Sequence, residues 1–254
     1  MRLRTVSAFW LLTAAVLAAR AATLITVAQD NSAPKFISTQ AGMTGFCMDA
    51  LRAIERVDPN LHFVGTQSSE PPARIDSRLA NGTLDVACGR ARNAARASYS
   101  VEIEPALFNA RYAVAVRADD PVFVSNLDDI RKLGPNGTLL GVRGLSVMTQ
   151  LAAEGGLLID DAAITPDANL KKLLAGRGRF FIYRSPGLKT QIHEAGLDSQ
   201  VRVLPAVIYT TRLYMVASRH LAPGLVHELG RAIAELNRTG ELMRIYERWG
   251  ELER

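Results

Sequence analysis

The densest run of chemistry-bearing side chains is Gly89-Arg90-Ala91-Arg92-Asn93-Ala94-Ala95-Arg96. A guanidinium stays charged at any physiological pH. Its planar fork of donors matches a carboxylate or phosphate bidentately. The chemistry this run could do is therefore anion binding. Signals for other chemistry are weaker. His62, His193, His220 and His227 fall in no metal-ligand spacing, and no GxSxG elbow, phosphate loop or GxGxxG turn is present. Asp128-Asp129 and Asp160-Asp161 are adjacent pairs, which on a helix point about 100° apart and read as a helix start and a turn. Glu102 and Glu104, two apart, read as a solvated strand face. Asn81-Gly82-Thr83 and Asn136-Gly137-Thr138 fit a glycosylation sequon but are first of all turn signals. No metal and no cofactor is expected.

The elements that would position the arginine run follow from periodicity. Leu24 to Ala28 is a β-type run. Gly45 to Val57 carries apolar residues at Phe46, Ala50, Leu51, Ile54 and Val57, which is helical spacing. Leu61 to Val64 reads as a strand, Pro72 to Leu79 as a helix closed by Asn81-Gly82, and Leu84 to Cys88 as a strand. This β-α-β-α-β order predicts a parallel sheet with helices on its faces. The arginine run then sits just past the carboxyl end of a strand, where ligands of such sheets bind. A similar order recurs. Helices are predicted over Asn126 to Leu133, Ser146 to Glu154, Pro166 to Ala175 and Pro186 to Ala195. The strands between and after them are Leu139 to Val142, a weak one at Ala163 to Thr165, Phe180 to Tyr183, Val201 to Leu204 and Leu213 to Ala217. Gly224 to Asn237 and Glu241 to Trp249 close the chain as helices. Two α/β units with short connections predict two lobes and a cleft.

Of the 254 residues, 48% are hydrophobic and 22% charged, with a formal net charge of +5. Such composition excludes a disordered chain, a collagen-like repeat and a multi-span membrane protein. The charge is mostly a targeting signal. Met1 to Thr5 is cationic, Val6 to Ala19 is an uncharged run of fourteen residues, and Ala19-Arg20-Ala21 fits a small-x-small cleavage site. Residues 1–21 therefore read as a signal peptide, with a run too short to span a bilayer and no lipoprotein cysteine after it. Without Arg2, Arg4 and Arg20 the chain holds 27 basic against 25 acidic residues. A nucleic-acid partner is not expected, because the arginines lack interleaved aromatics and the chain is exported. Export also permits Cys47 and Cys88 to form a disulfide, which is expected here. The alternative is two buried thiols acting as small hydrophobes.

Six segments in order resemble the periplasmic solute-binding proteins of ABC transporters, polar-amino-acid type (family 3). They are Leu24-Ile25-Thr26-Val27-Ala28 with Pro34 and Phe36; Gly42, Gly45, Phe46 and Asp49; Leu79-Ala80-Asn81-Gly82-Thr83-Leu84-Asp85-Val86; Arg96, eleven residues after Asp85; Gly141-Val142-Arg143-Gly144-Leu145-Ser146; and Leu236-Asn237-Arg238-Thr239-Gly240-Glu241-Leu242 with Trp249. The resemblance implies a type II, two-lobe Venus-flytrap α/β fold, each lobe a mostly parallel sheet flanked by helices. Lobe one would hold residues 22–111 and 212–254, lobe two residues 112–211, with two strands crossing the hinge. It implies a monomer that binds a small molecule between the lobes and delivers it to an inner-membrane ABC permease. It places Phe36, Arg92, Asn93, Arg96, Leu145, Ser146 and Arg184 at the ligand, with Arg96 on a carboxylate and the amides near Ser146 as further donors.

Two departures redirect that expectation. The loop before Arg96 offers Ala91, Arg92 and Asn93 where the family offers hydroxyls. Gly176-Arg177-Gly178-Arg179-Phe180-Phe181-Ile182-Tyr183-Arg184 puts arginine at both of the family's aspartate positions, the last of which holds the ligand's ammonium. An Arg184 facing the cleft would repel a cation and attract an anion. An anionic, carboxylate-bearing ligand is expected, with Arg90, Arg92, Arg96, Arg143, Arg177, Arg179 and Arg184 near the cleft. Two alternatives stand beside it: a dehydratase of the prephenate or arogenate type on the same fold, and an accessory or sensor protein that binds no ligand.

Overall fold

The computed structural model describes residues 21–250. Residues 1–20, where the export signal is expected, lie outside the described residues. The chain opens with β1 (Ala22–Ile25), β2 (Ala28–Gln29) and a hairpin of β3 (Ile37–Thr39) and β4 (Gly42–Thr44). It continues through α1 (Phe46–Val57), β5 (Leu61–Val64), β6 (Ser69–Glu70), α2 (Pro72–Ala80) and β7 (Val86–Ala91). An 18-residue strand, β8 (Ser100–Arg117), carries it into the second lobe. There follow α3 (Leu127–Lys132), β9 (Leu139–Leu140), α4 (Ser146–Glu154), β10 (Ile159–Asp160), α5 (Pro166–Leu174), β11 (Phe180–Arg184), α6 (Ser185–Glu194) and β12 (Val201–Val203). Strand β13 (Tyr209–Ser218) returns along β8, and α7 (Pro223–Arg238) and α8 (Glu241–Gly250) finish on the first lobe.

Of three apolar clusters, the smallest packs Ile75 and Leu79 of α2 against Ala87 and Val216, and the two large cores divide along the two long strands. One draws on Leu24, Phe46, Leu51, Ile54, Leu61, Ile103 and Leu107, and after the return on Met215, Leu229 and Ile233. The other runs from Ala110 and Tyr112 through Leu139, Leu151, Leu170, Phe180 and Phe181 to Ile208 and Leu213. The change of core falls between Leu107 and Ala110 on β8 and between Leu213 and Met215 on β13. The sheets are mixed. β1 pairs β5, β2 pairs β6, and β9 lies parallel to both β10 and β11, whereas β8 and β13 run antiparallel to each other and to β11, β12 and β7. The weak strand expected at Ala163 to Thr165 forms instead at Ile159–Asp160, where it pairs with β9. No helix among the described residues is long and apolar enough to cross a membrane.

The recurring residues of the first lobe have physical jobs. The Asp85 carboxylate accepts from the Ile25 amide at 2.7 Å, and the Asp85 amide donates to Ile25 O at 2.9 Å, which ties β1 to the segment entering β7. Asp49 on α1 accepts from the Trp249 indole at 2.9 Å and from Arg248, which docks α8. Gly45, at φ 122°, lets the first amides of α1 reach back. Phe46 N donates to Pro34 O and Cys47 N to Lys35 O, at 2.9 and 3.0 Å. A Cβ there would stand 2.5 Å from Lys35 O. The start of α1 therefore fixes the loop that carries Lys35. The expected disulfide is present: Cys47 and Cys88 are bonded, their Cα atoms 5.9 Å apart, joining α1 to β7.

Candidate functional site

β7 is buried along its whole length and delivers Arg90 near its carboxyl end. The chain then makes a single 3-10 turn, Ala94–Ser98, which carries Arg96. Asn93 caps that turn, its side-chain oxygen accepting from Ala95 N at 2.9 Å. The side-chain oxygen of Asn93, expected at the ligand, thus has a local structural role. Arg90 and Arg96 are 2% and 4% exposed. Between them lies Asp76 of α2. Its Oδ1 accepts from Arg90 at 2.7 Å and from Arg96 Nε at 2.9 Å, and its Oδ2 accepts from Arg96 at 3.3 Å. Arg96 also donates to Ala91 O at 2.8 Å and, across to the second lobe, to Ser146 Oγ at 3.4 Å.

Two further cations join them. Lys35, also buried, donates to Gln29 Oε1 and to Gly89 O, both at 3.0 Å. Burial, and after it the charges of Arg184, Arg90 and Arg96, holds its ammonium well below the usual lysine range. Arg184, at the carboxyl end of β11, is 4% exposed and reaches across the cleft. It donates to Ala33 O at 3.2 Å, to Asn31 O at 3.1 Å and to the Tyr183 hydroxyl at 3.0 Å, with its guanidinium 4.9 Å over the Tyr183 ring. The Tyr183 hydroxyl itself donates to Asn31 O at 2.8 Å. Asn31 sits in the left-handed region at φ 49°, which presents its carbonyl to both donors. Of these four buried basic groups only Arg90 and Arg96 bond to the Asp76 carboxylate, and Arg90 Nε is buried with no hydrogen-bond partner. The cavity left beside Lys35 and Arg184, walled by Phe46, Phe108, Tyr246 and Trp249, is about 20 Å³. That is room for about one water, so a larger guest requires the lobes to part.

The remaining expected site residues distribute unevenly. Arg92 turns away from this cluster. It is exposed, donates to Glu102 at 2.7 Å and Glu104 at 3.2 Å, and covers the Tyr214 ring. Two carboxylates and a ring outcompete the cleft for this guanidinium. Phe36 is packed in the first lobe's core and Leu145 in the second's, because apolar side chains at these positions gain more from burial. Arg143 is exposed. Arg177 and Arg179 precede β11, and that five-residue strand separates them from Arg184. Arg179 grips Asp120 through two bonds of 2.8 and 2.9 Å in a surface depression at the opposite end. Sequence reasoning missed Lys35, Asp76, Gln29 and Tyr183. Lys35 alone carried a signal, as one of only five lysines in the chain.

Lys35 yields a pH prediction. Its folded pKa is depressed, so between that value and the ordinary 10.5 the unfolded chain binds the extra proton. Stability must then rise with pH through that window. Urea unfolding from pH 7 to 10.5 should show this rise in the wild type and a flatter profile in Lys35→Met. Parallel profiles would mean that Lys35 is not depressed.

A histidine kinase sensor domain with similarity to periplasmic binding proteins superposes with a TM-score of 0.71 at 22% identity, over 91% of this chain and 96% of that one. The probable amino-acid ABC transporter extracellular-binding protein ytmK of Bacillus subtilis gives 0.69 at 14% identity, over 89% and 97%. The periplasmic VFT2 domain of Bordetella pertussis BvgS gives 0.70 at 15% identity, over 89% and 93%. No curated protein matches the sequence. These likenesses establish the two-lobe, type II Venus-flytrap fold. The family model matches residues 25–252, and the chain belongs to the bacterial extracellular solute-binding proteins, family 3.

Proposed function

We propose that the protein is an exported, periplasmic binder that closes its two lobes on a small carboxylate-bearing anion and presents it to an ABC permease. The observation that carries this reading is the charge of the cleft: Lys35, Arg90, Arg96 and Arg184, all buried, against the single carboxylate of Asp76. Buried cations are costly unless anions or hydrogen-bond acceptors compensate them. A guest bringing negative charge lowers that cost, and one bringing an ammonium raises it. Arg184 supports the same sign, since it stands where the family's aspartate would hold an ammonium group.

Thermal shift tests the reading. A guest that binds only the folded state at a hundred times its Kd stabilises by about 2.7 kcal/mol. For a chain of this size that is a rise of about 5–10 °C in Tm. Succinate, citrate or other di- and tricarboxylates should give such a rise, with glutamine and lysine giving none. Stabilisation by neutral or basic amino acids alone would overturn it.

A second reading has its own observation. Both ends of the cleft already bond to the protein itself, Arg96 to Asp76 and Arg184 to the carbonyls of residues 31 and 33. A two-lobe domain closed by its own groups suits an accessory or sensor role, and a screen with no stabilising anion would favour it. The dehydratase reading gains nothing, because Glu102 and Glu104 are spent on Arg92.

A further inference from the structure

Asp76 is arranged around Arg96 as a bound carboxylate would be. Its Oδ1 meets Nε at 2.9 Å and its Oδ2 meets a terminal nitrogen at 3.3 Å, one oxygen on each tine of the fork. Oδ1 is shared with Arg90 at 2.7 Å, so a single carboxylate bridges two buried guanidiniums. The other donors of Arg96 go to Ala91 O and Ser146 Oγ, which leaves no second face for a bidentate partner. Arg96 is nonetheless the arginine through which a carboxylate ligand would be held on the reading above. Asp76 differs from the arginines in one respect: its side chain is 26% exposed, while theirs are 5% or less. It therefore covers the pair from the solvent side, and rotation of its side chain would free their donors without unpacking β7.

We propose that Asp76 is a built-in carboxylate occupying the anion seat of Arg96 and Arg90, which an external carboxylate fills only by taking its place. The inference deepens the anion reading and rests on it for the identity of Arg96 as the seat. It makes Asp76 a specificity-determining residue. A small monocarboxylate that offers only one fork contact exchanges one carboxylate for another and gains little. An anion with a second charge for the Lys35 and Arg184 end gains an additional contact.

Chemical rescue tests the proposal. Asp76→Gly leaves a space of carboxylate shape facing two unpaired guanidiniums. Its Tm should fall and then recover with acetate or formate, but not with acetamide or with chloride at equal ionic strength. Asp76→Ala, which removes the carboxylate and keeps a good helix former in α2, serves as the second variant if the glycine form does not fold. Calorimetry should show acetate binding to it at least tenfold more tightly than to the wild type. The gain should disappear when Arg96→Lys is added, since lysine keeps the charge but lacks the fork. A folded Asp76→Ala that binds acetate no better than the wild type overturns the proposal. If the wild type still binds a polycarboxylate in that case, the anion reading stands without it. Should only the variants bind carboxylates, the proposal stands, and Asp76 is a permanent occupant that excludes anions from the wild-type seat.

Discussion

Loss of the Cys47–Cys88 bridge should lower stability by about 4 kcal/mol, by the chain-entropy estimate for the loop it closes, which spans a sequence separation of 41. This is about 10 °C in Tm for a chain of this size. The cost should concentrate in the first lobe, because both cysteines belong to its core and are 0% and 2% exposed. The second core contains neither cysteine and shares with the first only strands β7, β8 and β13 among the described residues. The bridge also sets the cation cluster. The residue after Cys88 is Gly89, at φ 70°, whose carbonyl accepts from Lys35, and the next is Arg90. A Cβ on Gly89 would lie 2.7 Å from the Lys35 side chain and 3.3 Å from Cys47 Sγ, so disulfide, lysine and strand are packed against one another. Cys47→Ala with Cys88→Ala is the cleaner variant, since serine would bury two hydroxyls. Calorimetry of that variant, and of the wild type with and without reductant, checks the expectation. Melting within 1 °C of the oxidised wild type would show that the bridge adds nothing to stability.

The parts of this molecule that were legible in its sequence are those fixed by local pattern. Helix α1 shows its apolar stripe at Phe46, Ala50, Leu51 and Ile54, and the structure buries those residues. The full span of the strand at Ser100–Arg117 was not legible. Proline interrupts it at position 105, and its buried side changes as it leaves one core for the other, so no single alternation runs through it. The short strand at Ile159–Asp160 is set by its pairing with β9 rather than by its own residue types, which is why the weak signal at Ala163 to Thr165 misled.

The site divides in the same way. Arg96 could be placed because its loop follows a predicted strand whose carboxyl end faces the crevice, whereas Arg184 was placed only by the resemblance, at the position of the family's aspartate. The same rule, applied to the direction of β11, separates Arg177 and Arg179 from the cleft. They lie before the strand and Arg184 at its end. Arg92 has the right residue type and the wrong surroundings, since Glu102 and Glu104, which read as a solvated strand face, take up its guanidinium once β8 is folded. Asp76 looks like a solvated residue on the polar side of a short helix. Only folding brings it to Arg90 and Arg96, 14 and 20 residues away.

Arg184→Met should shift the two lobes toward an open arrangement by roughly 100-fold. Arg184 of lobe two bonds two backbone carbonyls of the loop at residues 31–33. Charge-assisted bonds of this kind contribute about 1.5 kcal/mol or more each, and each 1.4 kcal/mol is tenfold in a population. Methionine keeps much of the apolar stem, so packing against Tyr183 is largely retained and the loss is chiefly electrostatic. Tyr183→Phe removes one neutral bond, to Asn31 O. It should shift the same equilibrium by roughly tenfold or less, at about 1 kcal/mol. Further direct links between the lobes include Arg96 to Ser146 at 3.4 Å, Gln150 to Arg92 O at 3.2 Å and Asn31 to Ile164 O at 3.5 Å, which are neutral or long. They do not replace a buried guanidinium. Small-angle scattering reads the outcome directly, because parting the lobes raises the radius of gyration. A spin-label pair, one on each lobe, reports the distribution of distances. The expected order of opening is Arg184→Met above Tyr183→Phe above wild type, in otherwise identical buffer. Equal radii for Arg184→Met and wild type would mean that the long strands alone set the angle between the lobes, and that Arg184 is free to serve a ligand instead.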